Sequence, residues 1–288
     1  MQPLLQGSNH IGVVGLGLIG GSLALDLQNL GYKVFGVTSR KSTAKKAEER
    51  GLAQTISTDP KILSSCSLVI LALPLSHLIH PKSELISSLP NKAVITDVGS
   101  VKAPIQSVWS KLHPRFIPSH PMAGTTKAGV EAGHRNLFKG RPWITTPSKE
   151  TDLEALEIVH NLAISLGSHV ISIDSITHDK AVALISHLPI VISTALLKTI
   201  AEGENDNLIS LTKKLASSGF ADTTRVGAGN PQLGVDIATH NTQALLDSLR
   251  TYRRSIEELE KIIRSREWGE LQKELEKSQA SRAEFLTL

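Results

Sequence analysis

Apolar positions in the first 173 residues follow two alternating patterns. Short runs of Val, Ile and Leu that are apolar on both faces predict buried strands. Between them, apolar residues recur every three or four positions, which predicts helices. The predicted strands are HIGVVGLG, KVFGVTSR, SLVILALP, AVITDVGSV, RFIPSHPM, RPWITTP and SHVISID, and the predicted helices are GLIGGSLALDLQNLGY, STAKKAEERGL and TDLEALEIVHNLAISLG. The alternation predicts an α/β fold with a doubly wound, mainly parallel sheet.

The strand pattern stops near Asp174, and the remainder of the chain has only helical spacing. We therefore predict two domains, 1–173 with the sheet and 174–288 all-helical. The last helical stretch carries one apolar seam, formed by Leu249, Tyr252, Ile256, Leu259 and Ile263. Two interpretations of the seam stay open: packing within the chain, or a subunit interface.

Composition excludes several classes of protein. The 288 residues carry a formal net charge of only +4, and basic segments such as RKSTAKKAEER are mixed in sign, so we expect no nucleic-acid partner. A single cysteine, Cys66, rules out an internal disulfide, and its apolar surroundings predict a buried structural thiol. No apolar signal core and no run of eighteen uninterrupted apolar residues are present, so we expect a cytoplasmic protein without a membrane span.

A glycine-rich loop closes the first predicted strand. Its sequence is GLGLIG, a G-x-G-x-x-G between a strand and a helix, which is the context of a dinucleotide-binding turn. Gly15 permits the tight turn, Gly17 lets a pyrophosphate approach the backbone, and Gly20 lets helix and strand pack closely. The helix that starts at Leu18 and Ile19 offers free N–H groups to phosphate. The alternative is a tight turn without a ligand.

The second predicted strand lacks the acidic residue that NAD-selective folds place at its end. Ser39 and Arg40 stand there, followed by Lys41, Ser42 and Thr43. A carboxylate would repel a ribose 2′-phosphate, whereas an arginine and hydroxyls can bind one. We therefore predict NADP as the cofactor; a solvated basic turn is the alternative.

His120 is the candidate for acid–base chemistry. It lies in the small-residue segment PSHPMAGTTKAGVEAG. This segment and the segment TDVGSVK each follow a strand-like run. In doubly wound folds, ligands bind outside the carboxyl ends of the strands, so both segments are expected near the nicotinamide. The imidazole could accept the proton of a hydroxyl whose carbon loses hydride, and Ser100 could orient the ring. A histidine that only packs the loop is the alternative.

A family resemblance joins these features. The segments GVVGLGLIGGSLA, TDVGSVK, HPMAGTTKAGVEAG, ISHLPIVIS and ASSGFADTTRVGAGNPQLG follow one another in the order and spacing of the prephenate/arogenate dehydrogenases of tyrosine biosynthesis. Over nearly its whole length, the chain resembles this family. The resemblance implies a Rossmann-type domain followed by an all-helical dimerisation domain, with oxidative decarboxylation of a cyclohexadienol to a phenol and no metal requirement.

The resemblance also implies roles for individual residues. His120 matches the catalytic histidine that bonds the ring 4-hydroxyl, and Ser100 matches a serine between that histidine and the nicotinamide. Arg225 matches an arginine that binds a substrate carboxylate. His187 matches a histidine of the substrate pocket, although helix packing beside Pro189 is an alternative. The remaining residues assigned in this way are Thr126 and Gly219 for the substrate, and Leu73 and Pro74 for the cofactor.

Two departures bear on the substrate. Prephenate-preferring members have a glutamate where this chain has Thr126, and a second histidine where it has Ile190. These two departures, taken together with the basic Ser39–Arg40 turn, make the chain similar to the NADP-dependent arogenate dehydrogenases of cyanobacteria. We therefore predict conversion of arogenate to tyrosine by a homodimer, with prephenate and its product 4-hydroxyphenylpyruvate as the alternative.

Two other classes of protein share the predicted architecture. A nucleotide-sensing regulator without catalysis would not need Ser100, His120 and Arg225 together. A β-hydroxyacid dehydrogenase uses a lysine base on the first helix of its second domain, and Lys180 lies in that helix here. The pattern alone leaves this second alternative open.

Overall fold

The chain folds into two compact units, Met1–Thr242 and Gln243–Leu288. The computed structural model describes residues 9–125, 127–203 and 205–286. Thr126, one of the predicted substrate residues, lies outside these described ranges.

A six-stranded parallel sheet forms the centre of the first unit, with strand order β3-β2-β1-β4-β5-β6. Its strands are β1 His10–Val14, β2 Lys33–Val37, β3 Thr55–Ser57, β4 Leu68–Leu71, β5 Val94–Asp97 and β6 Phe116–Ile117. The order reverses direction between β1 and β4, which is the switch point of a doubly wound fold. The predicted fold class, a Rossmann-type sheet followed by helices, is confirmed.

Helices connect the strands and cover both faces of the sheet. They are α1 Leu18–Asn29, α2 Lys41–Glu49, α3 Leu75–Ile79, α4 Ser83–Ser88, α5 Ala103–Leu112 and α6 Leu153–Ser165. Alternate residues of β1 enter different cores: Ile11 and Val13 pack in one cluster, whereas Val14 packs in the other. This burial on both faces explains why the strands read as continuous apolar runs.

The predicted strand RFIPSHPM divides into two strands at Pro118. Phe116 and Ile117 form β6 of the parallel sheet, and β7 (Ser119–Pro121) begins a second, three-stranded sheet in the order β7-β8-β9. The other two strands are β8 Pro142–Thr145, antiparallel to β7, and β9 His169–Ser172, parallel to β8. Proline has no N–H for a strand ladder, so the chain leaves the first sheet there.

Every described element after β9 is helical, in agreement with the predicted fold class. In the first unit these helices are α7 Ser175–Val182, α8 Leu188–Ala201, α9 Asp206–Leu215, α10 Ser218–Thr224 and α11 Pro231–His240. A π-helical turn, Ala183–His187, joins α7 to α8. The short strand β3 and the short helices α3 and α4 were not predicted, because segments of three to six residues carry too little periodicity.

One helical run has the length and composition of a membrane span. It is Ser175–Ala201, with a mean hydropathy of 1.8 in its most apolar window. The sequence criterion of uninterrupted apolar residues did not detect it because polar residues such as Ser186, His187 and Ser193 interrupt the run. His178 and Asp179 are buried against other parts of the same compact unit.

Two long helices make up the second unit, α12 Thr242–Arg264 and α13 Trp268–Leu286. The predicted apolar seam lies on α12, where Ile256 and Ile263 are 45% and 51% exposed. On α13, Trp268 and Leu275 are also exposed.

Candidate active site

The glycine-rich loop has the backbone geometry that the motif predicts. Gly15 has a φ of +95°, and a Cβ there would overlap the carbonyl oxygen of Ala72 at the end of β4. A Cβ on Gly20 would overlap the carbonyl oxygen of Gly15. At Gly17, in contrast, a Cβ would meet no atom of the described residues within 4 Å. Two glycines are therefore required by packing, and the third leaves an open approach to the backbone.

Helix α1 presents its N-terminus at this opening. Gly17 is the N-cap and offers no side chain to the first-turn amides, so the N–H groups of Leu18 and Ile19 are available to a ligand. Leu73 and Pro74 follow β4, the neighbour of β1, and so lie at the same edge of the sheet. These positions fit the dinucleotide phosphates and the ring system attached to them.

The turn after β2 is exposed and basic. Ser39 and Arg40 lie at the surface, and Arg40 is the N-cap of α2 without a side-chain hydrogen bond. Thr43, in the first turn of α2, is partly buried. Within the described residues Arg40 forms no ion pair, so its guanidinium is available to a phosphate.

His120 lies in the middle of β7, paired with Ile144 of β8. A buried polar network fixes the strand beside it. The carboxylate of Asp97, at the end of β5, accepts the N–H of Ser119 at 3.1 Å and forms an ion pair with the ammonium of Lys102. The Lys102 Nζ also donates to the carbonyl oxygen of Ser119 at 2.6 Å. The backbone next to His120 is therefore held by groups from two other segments.

A second histidine from α7 contacts the imidazole of His120. The Nδ1 of His120 lies 2.9 Å from the Nε2 of His178, and the Nδ1 of His178 lies 2.7 Å from the Oδ1 of Asp179. The Asp179 carboxylate also accepts the backbone N–H groups of Lys102 and Ala103, at 2.7 and 2.8 Å. Neither His178 nor Asp179 was predicted from the sequence; the adjacent His–Asp pair in the segment THDK was the available signal.

Burial and neighbouring positive charge set the protonation of His120. Desolvation lowers the pKa of this imidazole well below its ordinary value, and electrostatic interaction with His178, Lys102 and His187 acts in the same direction. The ring is therefore neutral at neutral pH, the state that a general base requires.

Ser100 takes no part in this contact. It is half-buried in the segment after β5 and makes no hydrogen bond to His120 within the described ranges. In this structure the Nδ1 of His120 faces His178 instead. The assignment of Ser100 between the histidine and the nicotinamide stays a prediction.

His187 is buried at the end of the π-helical turn, with 1% of its surface exposed. The Nδ2 of Asn241 donates to the carbonyl oxygen of Asp179 at 2.8 Å, which fixes the orientation of the amide, and the same Nδ2 lies 3.2 Å from the Nδ1 of His187. The Nδ1 of His187 is therefore an acceptor, and the proton of the neutral ring is on Nε2. Burial lowers the pKa of His187 to about 4. Its Nε2 has no hydrogen-bond partner within the described residues.

A proline explains the wide turn that carries His187. Pro189 is in the first turn of α8 and has no N–H, so the α-helical hydrogen bond to the carbonyl of Ile185 cannot form. The helix accommodates this loss by one turn of π-helix, a feature that often marks functional sites.

The remaining predicted substrate residues lie on elements that pack against α8. Arg225 begins a short 3₁₀ helix, Arg225–Ala228, and its side chain is exposed without an ion pair among the described residues. That 3₁₀ helix is attached to α8 by a 2.9 Å bond from the Gly227 N–H to the Oγ of Ser193. Gly219 lies in α10, another neighbour of α8, and Ile190 in α8 is partly buried. Within the described ranges, no hydrogen bond joins Arg225 to His120.

Lys180 is exposed, whereas the adjacent His178 and Asp179 face the interior. The alternative catalytic lysine thus points away from the buried histidines. Among the described residues, no group of three His, Cys, Asp or Glu side chains is arranged to hold a metal ion.

Comparison with known proteins assigns the chain to a family. The model for the nucleotide-binding domain of prephenate dehydrogenase matches residues 23–172, and the model for its dimerization domain matches residues 174–277. The chain belongs to the prephenate dehydrogenase family. As a member of this family it is an oxidoreductase, a dehydrogenase with a nucleotide-binding domain.

Individual members of the prephenate dehydrogenase family resemble the chain over most of its length. The prephenate dehydrogenase of Bacillus subtilis is 31% identical over 87% of this chain and 69% of its own length. The structure of Synechocystis arogenate dehydrogenase is 39% identical, covers 96% of this chain and 100% of its own, and superposes with a TM-score of 0.81. Aquifex aeolicus prephenate dehydrogenase, in complex with hydroxyphenyl propionate and NAD⁺, is 28% identical over 98% and 99% of the two chains, with a TM-score of 0.89.

Proposed function

We propose that this dehydrogenase uses NADP to oxidise arogenate, with loss of carbon dioxide, to tyrosine. The observation that carries the proposal is the neutral, partly buried His120 at the carboxyl edge of the sheet, on the same edge as the glycine-rich loop. Its Nε2 has no hydrogen-bond partner among the described residues, so it can accept the proton of the ring 4-hydroxyl.

The residues present fit NADP. The open space at Gly17 and the free amides of α1 would hold the pyrophosphate, and the exposed Arg40 with Ser39 would bind a 2′-phosphate. When bound, the cofactor supplies the acceptor for the hydride. The chain itself supplies the base, the orientation and the exclusion of water.

Two cationic or donor groups would hold the rest of the substrate. The buried His187 Nε2–H is a donor without an acceptor, and a substrate oxygen would satisfy it. Arg225 would bind the side-chain carboxylate that arogenate and prephenate share. Because that carboxylate is common to both, Arg225 would contribute to binding and not to discrimination.

Discrimination between the two substrates is assigned to Ile190 and Thr126. Both replace polar residues of the prephenate-preferring pattern, and Ile190 lies three residues after His187 on the same helical run. The 39% sequence identity to Synechocystis arogenate dehydrogenase supports arogenate as the substrate. Prephenate is the second candidate because the Bacillus subtilis and Aquifex aeolicus relatives are prephenate dehydrogenases.

Two other hypotheses have less support. The exposed position of Lys180 disfavours a lysine base of the hydroxyacid dehydrogenase type. A non-catalytic NADP sensor would have no use for a neutral histidine held in a buried network beside the cofactor edge.

We also propose that the protein is a cytoplasmic homodimer. The family model that matches residues 174–277 describes a dimerization domain, which supports dimerisation. The exposed apolar residues of α12 supply a surface for it. In a dimer, the second copy would cover these apolar residues, so that no membrane would be needed to cover them.

The test is a steady-state comparison of arogenate and prephenate, each with NADP and NAD. We expect the highest kcat/KM for arogenate with NADP. The double variant Thr126→Glu with Ile190→His should shift the ratio of kcat/KM toward prephenate. Ile185→His, a change on an exposed position of the same helical run, is the control and should leave the ratio unchanged. A parent enzyme that prefers prephenate, or a double variant with an unaltered ratio, contradicts the proposal.

A further inference from the structure

The contacts of Asp179 determine where the proton of His178 lies. Its Oδ1 accepts the backbone N–H of Lys102 at 2.7 Å, and its Oδ2 accepts the backbone N–H of Ala103 at 2.8 Å. Both oxygens face donors, so the side chain is an ionised acceptor. The Nδ1 of His178, 2.7 Å from Oδ1, must therefore donate.

The position of the proton on the His178 ring in turn determines the position of the proton on the His120 ring. With Nδ1 as donor, a His178 ring that carries a single N–H has only a lone pair at Nε2. This Nε2 lies 2.9 Å from the Nδ1 of His120, so the shared proton belongs to His120 Nδ1. The lone pair of His120 is then on Nε2, the nitrogen without a partner in the described part of the chain.

We propose that His178 and Asp179 are positioning residues that keep the proton of His120 on Nδ1 and leave its Nε2 free to accept the proton of the substrate. The reaction breaks the hydroxyl O–H bond and forms an N–H bond at Nε2. The resulting imidazolium has its Nδ1–H directed at His178, and the Asp179 carboxylate behind His178 stabilises the positive charge. The kinetic part of this inference rests on the proposed base function of His120, whereas the tautomer does not.

The two positioning residues also connect parts of the fold. His120 is on β7, whereas His178 and Asp179 are on α7, and Asp179 binds the two backbone amides at the start of α5. Loss of either residue could therefore act through folding alone. A test must include a readout that a purely structural role would not alter.

The first measurement is the tautomer itself, recorded on the full chain with ¹⁵N-labelled histidine. Nitrogen shifts and couplings to the ring protons distinguish Nδ1–H from Nε2–H, and the His120→Gln variant identifies the His120 signals. We expect Nδ1–H in the unaltered protein. We expect Nε2–H in Asp179→Asn, because the new amide can donate to His178 Nδ1 and reverse both tautomers. An Nε2–H tautomer of His120 in the unaltered protein overturns the proposal without any variant.

The second measurement separates kcat from KM. Asp179→Asn and His178→Phe should lower kcat about 10²-fold, the usual contribution of a correctly placed base, while KM for substrate and NADP changes less than about threefold. His178→Gln can place its amide oxygen near the former Nε2 and should recover about tenfold over His178→Phe. If Asp179→Asn and His178→Phe retain the kcat of the parent, the proposal is wrong.

Matched variants control for the loss of a buried polar group. Asp152→Asn removes a carboxylate that also binds a helix amide and a cationic side chain, and His113→Gln removes a buried histidine far from this network. Both should retain the kcat of the parent. If no cyclohexadienol is oxidised, the proposed function fails, while the tautomer measurement still decides the role of His178 and Asp179.

Discussion

Histidine chemistry in this protein is decided by the immediate neighbours of each ring. His120, His178 and His187 lie in one compact unit, yet their contacts differ. His178 donates to a carboxylate, whereas His187 accepts from an amide and keeps an unpaired donor. In the proposed mechanism the three side chains serve as a base, a positioning group and a donor because the partners of their ring nitrogens differ: the proton is on Nδ1 in His120 and His178 and on Nε2 in His187.

At this scale we expect His120→Asn to lower kcat by about 10² or more, because the reaction loses its general base. Substrate KM should change less. In the parent, activity requires neutral His120, so kcat/KM should fall only as the pH drops through its lowered pKa, below the ordinary range of histidine. A variant with near-normal kcat across the pH range would make His120 structural.

His187 should make stability depend on pH. Its pKa is about 4 in the folded protein and about 6.5 in the unfolded chain, so below pH 6.5 the unfolded chain binds the extra proton. Stability is therefore lost as the pH falls, by about 2 kcal/mol at pH 5. We expect the free energy of unfolding of His187→Gln to fall correspondingly less between pH 8 and 5. Equal pH dependence in parent and variant would show that His187 titrates normally.

At the scale of elements, two short turns are the proposed sites of cofactor binding. The glycine-rich loop combines two glycines that the packing requires with one that faces open space. The turn after β2 combines a helix N-terminus with exposed basic and hydroxyl side chains. In both turns the backbone direction is set by the parallel sheet, and the side chains, or their absence, set what can bind.

The glycines of the loop should respond differently to alanine. Gly20→Ala adds a methyl group against the carbonyl oxygen of Gly15, so it should destabilise the protein by about 3 kcal/mol. Gly17→Ala adds one into open space, so the melting temperature should be retained while NADP affinity falls by about tenfold or more. Calorimetric melting and NADP titration of both variants check this. Normal NADP binding by Gly17→Ala would remove the loop from the cofactor site.

Cofactor preference should follow Arg40. Arg40→Asp replaces a guanidinium by a carboxylate, so kcat/KM with NADP should fall about 10²-fold while that with NAD is retained or rises. Lys45→Asp, on the same helix and exposed, is the matched control and should keep the parent preference. Equal efficiency with both cofactors in the parent would contradict the assignment of NADP.

At the scale of the whole molecule, the sequence predicted a homodimer but left open whether the apolar seam of α12 forms the subunit interface. The seam of α12 carries Ile256 and Ile263 with about half of each side chain exposed, and α13 has no buried residue. Exposed apolar residues aligned along one helix face are typical of association surfaces.

We expect sedimentation at micromolar concentration to give a homodimer. Ile256→Arg combined with Ile263→Arg should shift the protein toward monomer, because two charges would be buried at the interface. Glu258→Arg changes the charge on the opposite face of α12 and should remain dimeric. A monomeric parent would assign the seam to a different role.

The sequence by itself determined the Rossmann-type sheet, the helical remainder and the glycine-rich loop. These depend on local periodicity and on backbone conformations that glycine alone adopts easily, and both are visible in a linear pattern. It also singled out His120 and Arg40 as candidates, because their residue types are unusual at those places.

Only the tertiary structure decided which residues contact one another in the candidate site. The contact of His120 with His178 spans 58 positions, and Asp179 reaches the Lys102 amide across 77. No periodicity encodes such pairs, since they depend on how α5, α7 and β7 pack. The division of RFIPSHPM between two sheets was decided there for the same reason, and so was the His187 Nε2–H, which has no partner among the described residues. Long-range packing, and not local propensity, determines the partners of buried polar groups.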